Sequence, residues 1–451
     1  MGKSNEQNEK PLKWWQLTLL GIACTIGTGF FLGSSIAINM TGPSVIFSFA
    51  IAAIATYFVY EALAKMTTED PQEGSFRSYA KKAYGRWAGF TSGWVYWASE
   101  ILIIGSQMTA LAIFSQLWFP NMPLWILATI YAVLAMIVIL CGSKAFDRVE
   151  NILAVLKASA IVMFIIIAVL ALLGLLGGND EEANAIPKTF QALFPNGLTG
   201  FLPSLIFGFY GFAGIEIIGL LAVRLEEKKD ALKAGKLMFF TLGVIYMVSI
   251  GLAILLVSWD TFTHETSPFI TSLEPYNIPF ISHIFNAVFI IAGFSTMVAS
   301  LFAVISILVT LAEDQDAPSF LSKKFKDKYA LPAMGLTTLV LAVSVVMSVV
   351  MPDNIYEYFT TAAGLMLLYN WFFIIGSYGR LHELTIWANI KRLLGFSLVL
   401  LAIVGTVFHQ TSRPGFFVSL AFIVVISIVT FIMRHFWKKK SKESSNPEPK
   451  T

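Results

Sequence analysis

Charge is scarce in this 451-residue chain: Asp, Glu, Lys and Arg make up 13% of it, against about 25% in a soluble globular protein. Its two cysteines, Cys24 and Cys141, cannot build a disulfide framework. Its five histidines, at 264, 283, 382, 409 and 435, have no metal-ligand spacing. No G-x-x-x-x-G-K-[ST] phosphate loop is present, so ATP is not expected as a direct energy source and no ATPase module is implied. No extramembrane segment reaches the ~50 residues of a domain, and no Ser, His or Cys constellation points to an enzyme. Composition thus sets aside a soluble enzyme, a nucleic-acid binder and a disordered scaffold.

Hydrophobic residues fill the gap, at 56% of the chain with 38 Phe. A membrane helix needs about 20 mostly apolar residues, and twelve such runs can be read between polar breaks. They cover roughly 14–39, 43–65, 88–119, 122–143, 149–176, 199–223, 235–257, 280–311, 333–350, 355–377, 393–409 and 414–437. The reading is an all-α polytopic membrane protein with a tail at 1–13, a transmembrane domain at 14–437 and a disordered tail at 438–451. The first run is too long for a cleaved signal peptide and lacks a cleavage site. Between the second and third runs, Gly74 to Gly85 carries aromatic and basic residues at helical spacing, which suggests a short interfacial helix.

The sparse charges are ordered. Of the 31 Lys and Arg, all but Lys157, Lys188 and Arg413 fall at the termini or in every second loop. The intervening loops hold acids instead, among them Asp180, Glu181, Glu182, Asp260, Glu265 and Glu274. Basic residues stay on the cytoplasmic side, so both termini are expected in the cytoplasm of a multi-pass cell-membrane protein in contact with lipid. The net charge of +3 therefore reads as a topology signal rather than a site for an anionic partner.

Two runs resist continuous helix. The first contains Thr25-Ile26-Gly27-Thr28-Gly29-Phe30-Phe31-Leu32-Gly33, and the sixth contains Phe207-Gly208-Phe209-Tyr210-Gly211-Phe212-Ala213-Gly214-Ile215-Glu216-Ile217-Ile218-Gly219. Each helical Gly costs about 1 kcal/mol relative to Ala, and unwound backbone at membrane depth is tolerated only beside protein or a cavity. The two runs each open a group of five and enter from opposite sides, the pattern that marks the binding site of an inverted-repeat transporter. Gly29 and Gly33 also form a GxxxG pair suited to helix contact.

Four ionisable residues lie in or at the edge of spans, where a central charge costs roughly 2.5–3.5 kcal/mol. Glu61 and Lys65 form a favoured i,i+4 pair. Lys157 either snorkels to the interface or faces the first helix, where it could carry a proton. Glu216, beside the second break, could hold broken-helix amides or a substrate amine. Glu100 shares a helical face with Gln107, and a buried polar contact is the expected role of the pair. Ser295 is a further polar candidate.

These residues together resemble the bacterial amino acid permeases of the amino acid–polyamine–organocation superfamily. The resemblance runs over most of the chain. It begins with the Thr25–Gly33 segment and Thr41-Gly42-Pro43, and continues through Gly74-Ser75-Phe76, Tyr79-Ala80 and Gly93-Trp94-Val95-Tyr96-Trp97. Lys157, Phe212-Ala213-Gly214-Ile215-Glu216 and Leu311-Ala312-Glu313-Asp314-Gln315-Asp316-Ala317-Pro318 complete it. The chain departs from the pattern in span three, where many relatives carry Glu at the position of Gln107 and Glu100 is extra.

The resemblance implies a five-plus-five inverted repeat, at about 14–177 and 199–377, with discontinuous helices 1 and 6 and two extra helices at 393–437. It implies that backbone amides from Ile26 through Gly27, Thr28 and Gly29 hold a substrate carboxylate. The ammonium would meet carbonyls of span one and of Phe212, Ala213, Gly214 and Ile215, with Phe212 as a gate. Lys157 would couple transport to protons, with no cofactor or metal.

The expected function is secondary active amino acid transport, as proton-coupled symport by alternating access. Apolar residues at Ile26, Phe212, Ala213 and Ile215 point to a neutral substrate. An exchanger, or a sensing receptor subunit of the same fold, is the alternative. In a background lacking native cysteines, a cysteine at Asn179 should react with an impermeant thiol reagent added outside cells, and one at Lys323 should not. Labelling in the reverse pattern would invert the orientation.

Overall fold

The computed structural model describes residues 11–72, 74–141, 143–176, 188–325, 330–351 and 354–445. Among these residues the chain is helical throughout, with no strand beyond a single bridge between Leu12 and Leu225. The first half runs through α1 (Trp14–Thr25), α2 (Thr28–Phe31), α3 (Gly33–Thr41), α4 (Val45–Glu69), α5 (Ser75–Tyr84), α6 (Arg86–Gln116), α7 (Leu124–Cys141) and α8 (Ser143–Leu172). The second half contains α9 (Phe190–Leu193), α10 (Gly197–Gly211), α11 (Ile215–Ala222), α12 (Asp230–Leu256), α13 (Pro268–Thr271), α14 (Ile281–Glu313), α15 (Leu331–Val350) and α16 (Ile355–Leu381). Two further helices, α17 (Ile386–Gly405) and α18 (Ser412–Ser445), close the chain.

Among the described residues, eleven helical stretches are long and apolar enough to cross a membrane, and one of them, Thr28–Glu69, has 42 residues. At about 1.5 Å per residue it is twice the ~30 Å hydrocarbon thickness. It turns at Gly42, whose φ of +69° suits glycine alone. The contacts show the reversal. Thr18 in α1 donates to the Ala234 carbonyl (3.2 Å) and Thr68 at the end of α4 donates to the Lys228 carbonyl (3.1 Å), both near the start of α12. Asn39, between them, donates to the Phe262 carbonyl beyond the far end of α12 (3.0 Å). The twelve-run reading and the eleven stretches therefore describe one path, in which α1 joins α2 and α3 as the first crossing.

The loops grouped by their basic residues meet at one end of the bundle. Arg77 reaches Asp314 and Asp316, each at 2.8 Å, and Arg86 reaches Asp316 at 2.9 Å. Lys391 joins the Glu61–Lys65 pair, at 2.9 Å from Glu61. The Leu12 N–H donates to the Arg224 carbonyl and the Glu226 N–H to the Leu12 carbonyl, both at 2.9 Å. At the other, acidic end, Asn196 donates to the Met40 carbonyl (2.9 Å), and His264 pairs with Glu357. Thus α1 starts at the basic end and α10 at the acidic end, so the two broken crossings enter from opposite faces.

Other expectations meet the structure directly. The short helix expected at 74–85 is α5, which packs on α6 and α16. The long runs at 88–119 and 280–311 are α6, with 31 residues, and α14, with 33. The tail differs: α18 continues to Ser445, so residues 438–445, read as disordered, extend the last helix. Residues 1–10, 446–451 and the loop containing Asn179 lie outside the described residues.

Close helix approach depends on small residues. At Gly235 in α12 an added Cβ would stand 1.8 Å from the Tyr60 ring of α4, whose hydroxyl donates to the Ala231 carbonyl (2.9 Å). Gly235→Val should therefore destabilise the fold by about 1–3 kcal/mol through overpacking, read as a lower melting temperature of the purified protein in detergent. An unchanged melting temperature would contradict this α4–α12 contact.

Candidate functional site

The first break is short and sharp. α1 ends at Thr25, Gly27 is extended (φ −153°, ψ −163°), and α2 begins at Thr28. The Phe30 and Phe31 N–H groups both return to the Gly27 carbonyl at 3.1 Å. The N–H groups of Gly27, Thr28 and Gly29 take no hydrogen bond among the described residues. Such open amides at a helix start are a ready anion site. The other groups of Thr28 are taken: its hydroxyl donates to Gln107 Oε1 (2.6 Å), and its carbonyl accepts from the Tyr356 hydroxyl (3.0 Å).

The second break lies at Phe212 to Gly214, between α10 and α11. Gly214 has φ +109°, left-handed backbone that a side chain resists, and starts α11. The Ala213 N–H donates to the Tyr210 carbonyl (3.1 Å), ending α10 in a tight turn. The two breaks touch through Gly29, where an added Cβ would stand 2.7 Å from the Tyr210 ring. Gly33, one turn on, faces Phe207. The GxxxG pair therefore packs α2 and α3 on α10 while Gly29 also faces the gap between the breaks.

A cavity of about 40 Å³ sits at this meeting point. It has room for a few water molecules, at ~10–15 Å³ each, so a larger ligand requires neighbouring side chains to move. Gly27, Gly29, Ala213 and Gly214 line it, as do Glu100 and Gln107 from α6. Ile26, Phe212, Ile215 and Glu216 do not face it; all four are fully buried behind the breaks. Phe212 packs on Tyr246 at 5.1 Å between ring centres, and Phe30 stacks on the same Tyr246 at 3.6 Å. Glu216 accepts a hydrogen bond from the Trp371 indole N–H of α16, which anchors α11 to that helix.

Lys157 does not snorkel. It lies midway along the 30-residue α8 with no exposed surface. Its Nζ donates to the Ala23 carbonyl (3.1 Å) and to the Ser295 hydroxyl (2.8 Å). It thus joins α8, the end of α1 just before the break, and α14. Ser295 is engaged with this ammonium rather than with the cavity.

Several site residues went unread in the sequence. Tyr210, Thr296 and Ser300 line the cavity, and Tyr356 holds Thr28 from α16. Thr296 and Ser300, one turn apart with Ser295 beside them, form a hydroxyl stripe in an otherwise apolar α14, which was a usable signal. Tyr356 offered none, because it stands far along the chain at the start of α16. A second cavity, of about 780 Å³, opens at the acidic end beside Tyr356, His264 and Glu357. Burial lowers the pKa of His264 below the usual histidine value, against an opposing effect of Glu265.

Two broken helices crossing a membrane from opposite faces, with open amides at their meeting point, define a membrane transporter of the discontinuous-helix class. Residues 16–446 match the family model described as amino acid permease. The chain belongs to that family, so it is an amino acid transporter and not an enzyme. It is 52% identical to an uncharacterized transporter, YcgH of Bacillus subtilis, over 98% of both chains. It is 28% identical to the gamma-aminobutyric acid permease of the same organism, over 82% of this chain and 79% of that one. It is 27% identical to the aromatic amino acid transport protein AroP of Escherichia coli K12, over 97% of both.

The geometry separates two glycines that look alike in sequence. Gly29→Val would drive a branched side chain into Tyr210, so substrate binding should be lost while membrane insertion persists. Gly33→Ala meets nothing nearer than 3.6 Å and should bind normally. Scintillation proximity binding on matched purified protein checks both; wild-type affinity in Gly29→Val would remove the first break from the site.

Proposed function

We propose that the protein is a proton-coupled amino acid symporter of the cytoplasmic membrane, working by alternating access with its basic end and both termini in the cytoplasm. The observation that carries the coupling is the position of Lys157. An ionisable ammonium rests on the backbone of the first broken helix, so its loss or gain of a proton changes what holds α1 against α8 and α14. Lysine can release its proton when buried, whereas arginine cannot. The substrate carboxylate would sit on the open amides of Gly27, Thr28 and Gly29, and its ammonium on carbonyls of the two breaks. Lipid surrounds the bundle, and the reading calls for no cofactor, nucleic acid or ATPase subunit.

The expectation of a neutral substrate rested on Ile26, Phe212, Ala213 and Ile215 as lining. Only Ala213 faces the cavity, so that ground is much reduced. Substrate charge is better read from the groups that do face it.

The test compares two variants in proteoliposomes, at matched expression and thermal stability. Lys157→Ala should lose net uphill uptake under an imposed proton gradient while retaining exchange. Lys157→Arg should lose uphill uptake as well. Accumulation by Lys157→Arg at the wild-type rate would overturn proton coupling through this residue.

A further inference from the structure

We infer that Glu100 is the counter-charge for a cationic substrate side chain, so that this permease selects basic amino acids of the lysine and ornithine kind. The inference rests on the transport reading above and adds the substrate class to it.

Glu100 is 2% exposed, lines the cavity, and its Oε2 has no hydrogen-bond partner. The hydroxyls of Tyr96 and Ser300 stand beside it, and among the described residues no Lys, Arg or His lines the cavity with it. Glu216, the other buried carboxylate nearby, is held by Trp371 and faces away. A carboxylate in a membrane interior needs a partner, a cavity or a bound proton, and the protein supplies this one with a cavity but no cation.

The spacing fits a ligand of definite length. Gln107 reaches the first break through Thr28. Glu100 lies seven residues away on the same face of α6, about 10 Å toward the basic end at ~1.5 Å per residue. The facing helix keeps pace: Thr296 stands against Gly27, and Ser300 is one turn further toward the same end. A substrate whose carboxylate meets the amides at 27–29 cannot bring its α-ammonium to Glu100. An ammonium at the end of an extended aminoalkyl side chain can reach it through the cavity that Thr296 and Ile217 also line.

The experiment measures binding of radiolabelled lysine and radiolabelled norleucine to the purified full-length protein, in sodium-free buffer, and their displacement by unlabelled lysine, ornithine and norleucine. Norleucine matches the lysine chain but lacks its terminal ammonium. The wild type should bind lysine or ornithine ahead of norleucine. Glu100→Gln should weaken the basic ligands about 10- to 100-fold, the range of a charged hydrogen bond, and leave norleucine within about twofold. Glu100→Asp keeps the charge on a shorter arm and should shift preference from ornithine toward lysine, so it carries the test if Glu100→Gln fails to fold.

Equal or tighter binding of norleucine by the wild type, or an unchanged lysine-to-norleucine ratio in Glu100→Gln, would overturn the inference and leave the permease reading standing. Stabilisation of the wild type by sodium alone, lost in Glu100→Gln, would also overturn it by making Glu100 an ion ligand. Failure of every amino acid to bind would instead remove the transport reading beneath it.

Discussion

Hydrocarbon supplies no hydrogen-bond partner, and each backbone N–H or C=O left open in it costs several kcal/mol. That constraint organises the molecule. Two helices are interrupted at mid-membrane, so both interruptions must be enclosed by other helices. α6 is the principal wall, buried along nearly all of its apolar stretch, and α14 and α16 complete the enclosure. The groups freed at the breaks are then handled one by one: Tyr356 caps the Thr28 carbonyl, Lys157 caps that of Ala23, and Gln107 takes the Thr28 hydroxyl. What stays open among the described residues is the run of amides at 27–29, the group on which the proposed carboxylate site rests.

The same constraint explains the aromatic packing behind the breaks. Phe30 from the first and Phe212 from the second both lie on Tyr246 of α12. Each such pair contributes about 0.5–1.5 kcal/mol beyond the area it buries. The rings replace the helical continuity that the glycines remove, and they hold the two bends in register without using a polar group.

Much of this was legible in the sequence, because the strongest signals there are one-dimensional. Apolar run length located the crossings, alternating Lys and Arg assigned their ends, and glycine clusters located both breaks. What was not legible depended on direction around a helix axis within a span that is apolar on every side. Phe212 and Ile215 neighbour Gly214 in sequence yet turn away from the cavity, because left-handed backbone at Gly214 redirects the chain. Glu100 is buried among polar groups, as its face with Gln107 suggests, but spacing does not reveal that this face also meets the cavity. The apolar run alone does not fix the depth of Lys157, because its helix begins further back, at Ser143, than that run suggests. The end of α18 was misplaced for the opposite reason: a charged stretch can continue a helix that has already left the apolar layer.

The bridge between Leu12 and Leu225 has a mechanical consequence. It ties the chain just before α1 to the chain just after α11, so the basic-end halves of both broken helices share one fastening of two backbone hydrogen bonds. The two halves are thereby yoked, and neither tilts without loading the other. Because Leu12 stands just before α1, a pull on the chain at that point is delivered to both sides of the cavity at once. Two backbone hydrogen bonds thus link movements of the two broken helices at a place remote from the cavity they enclose.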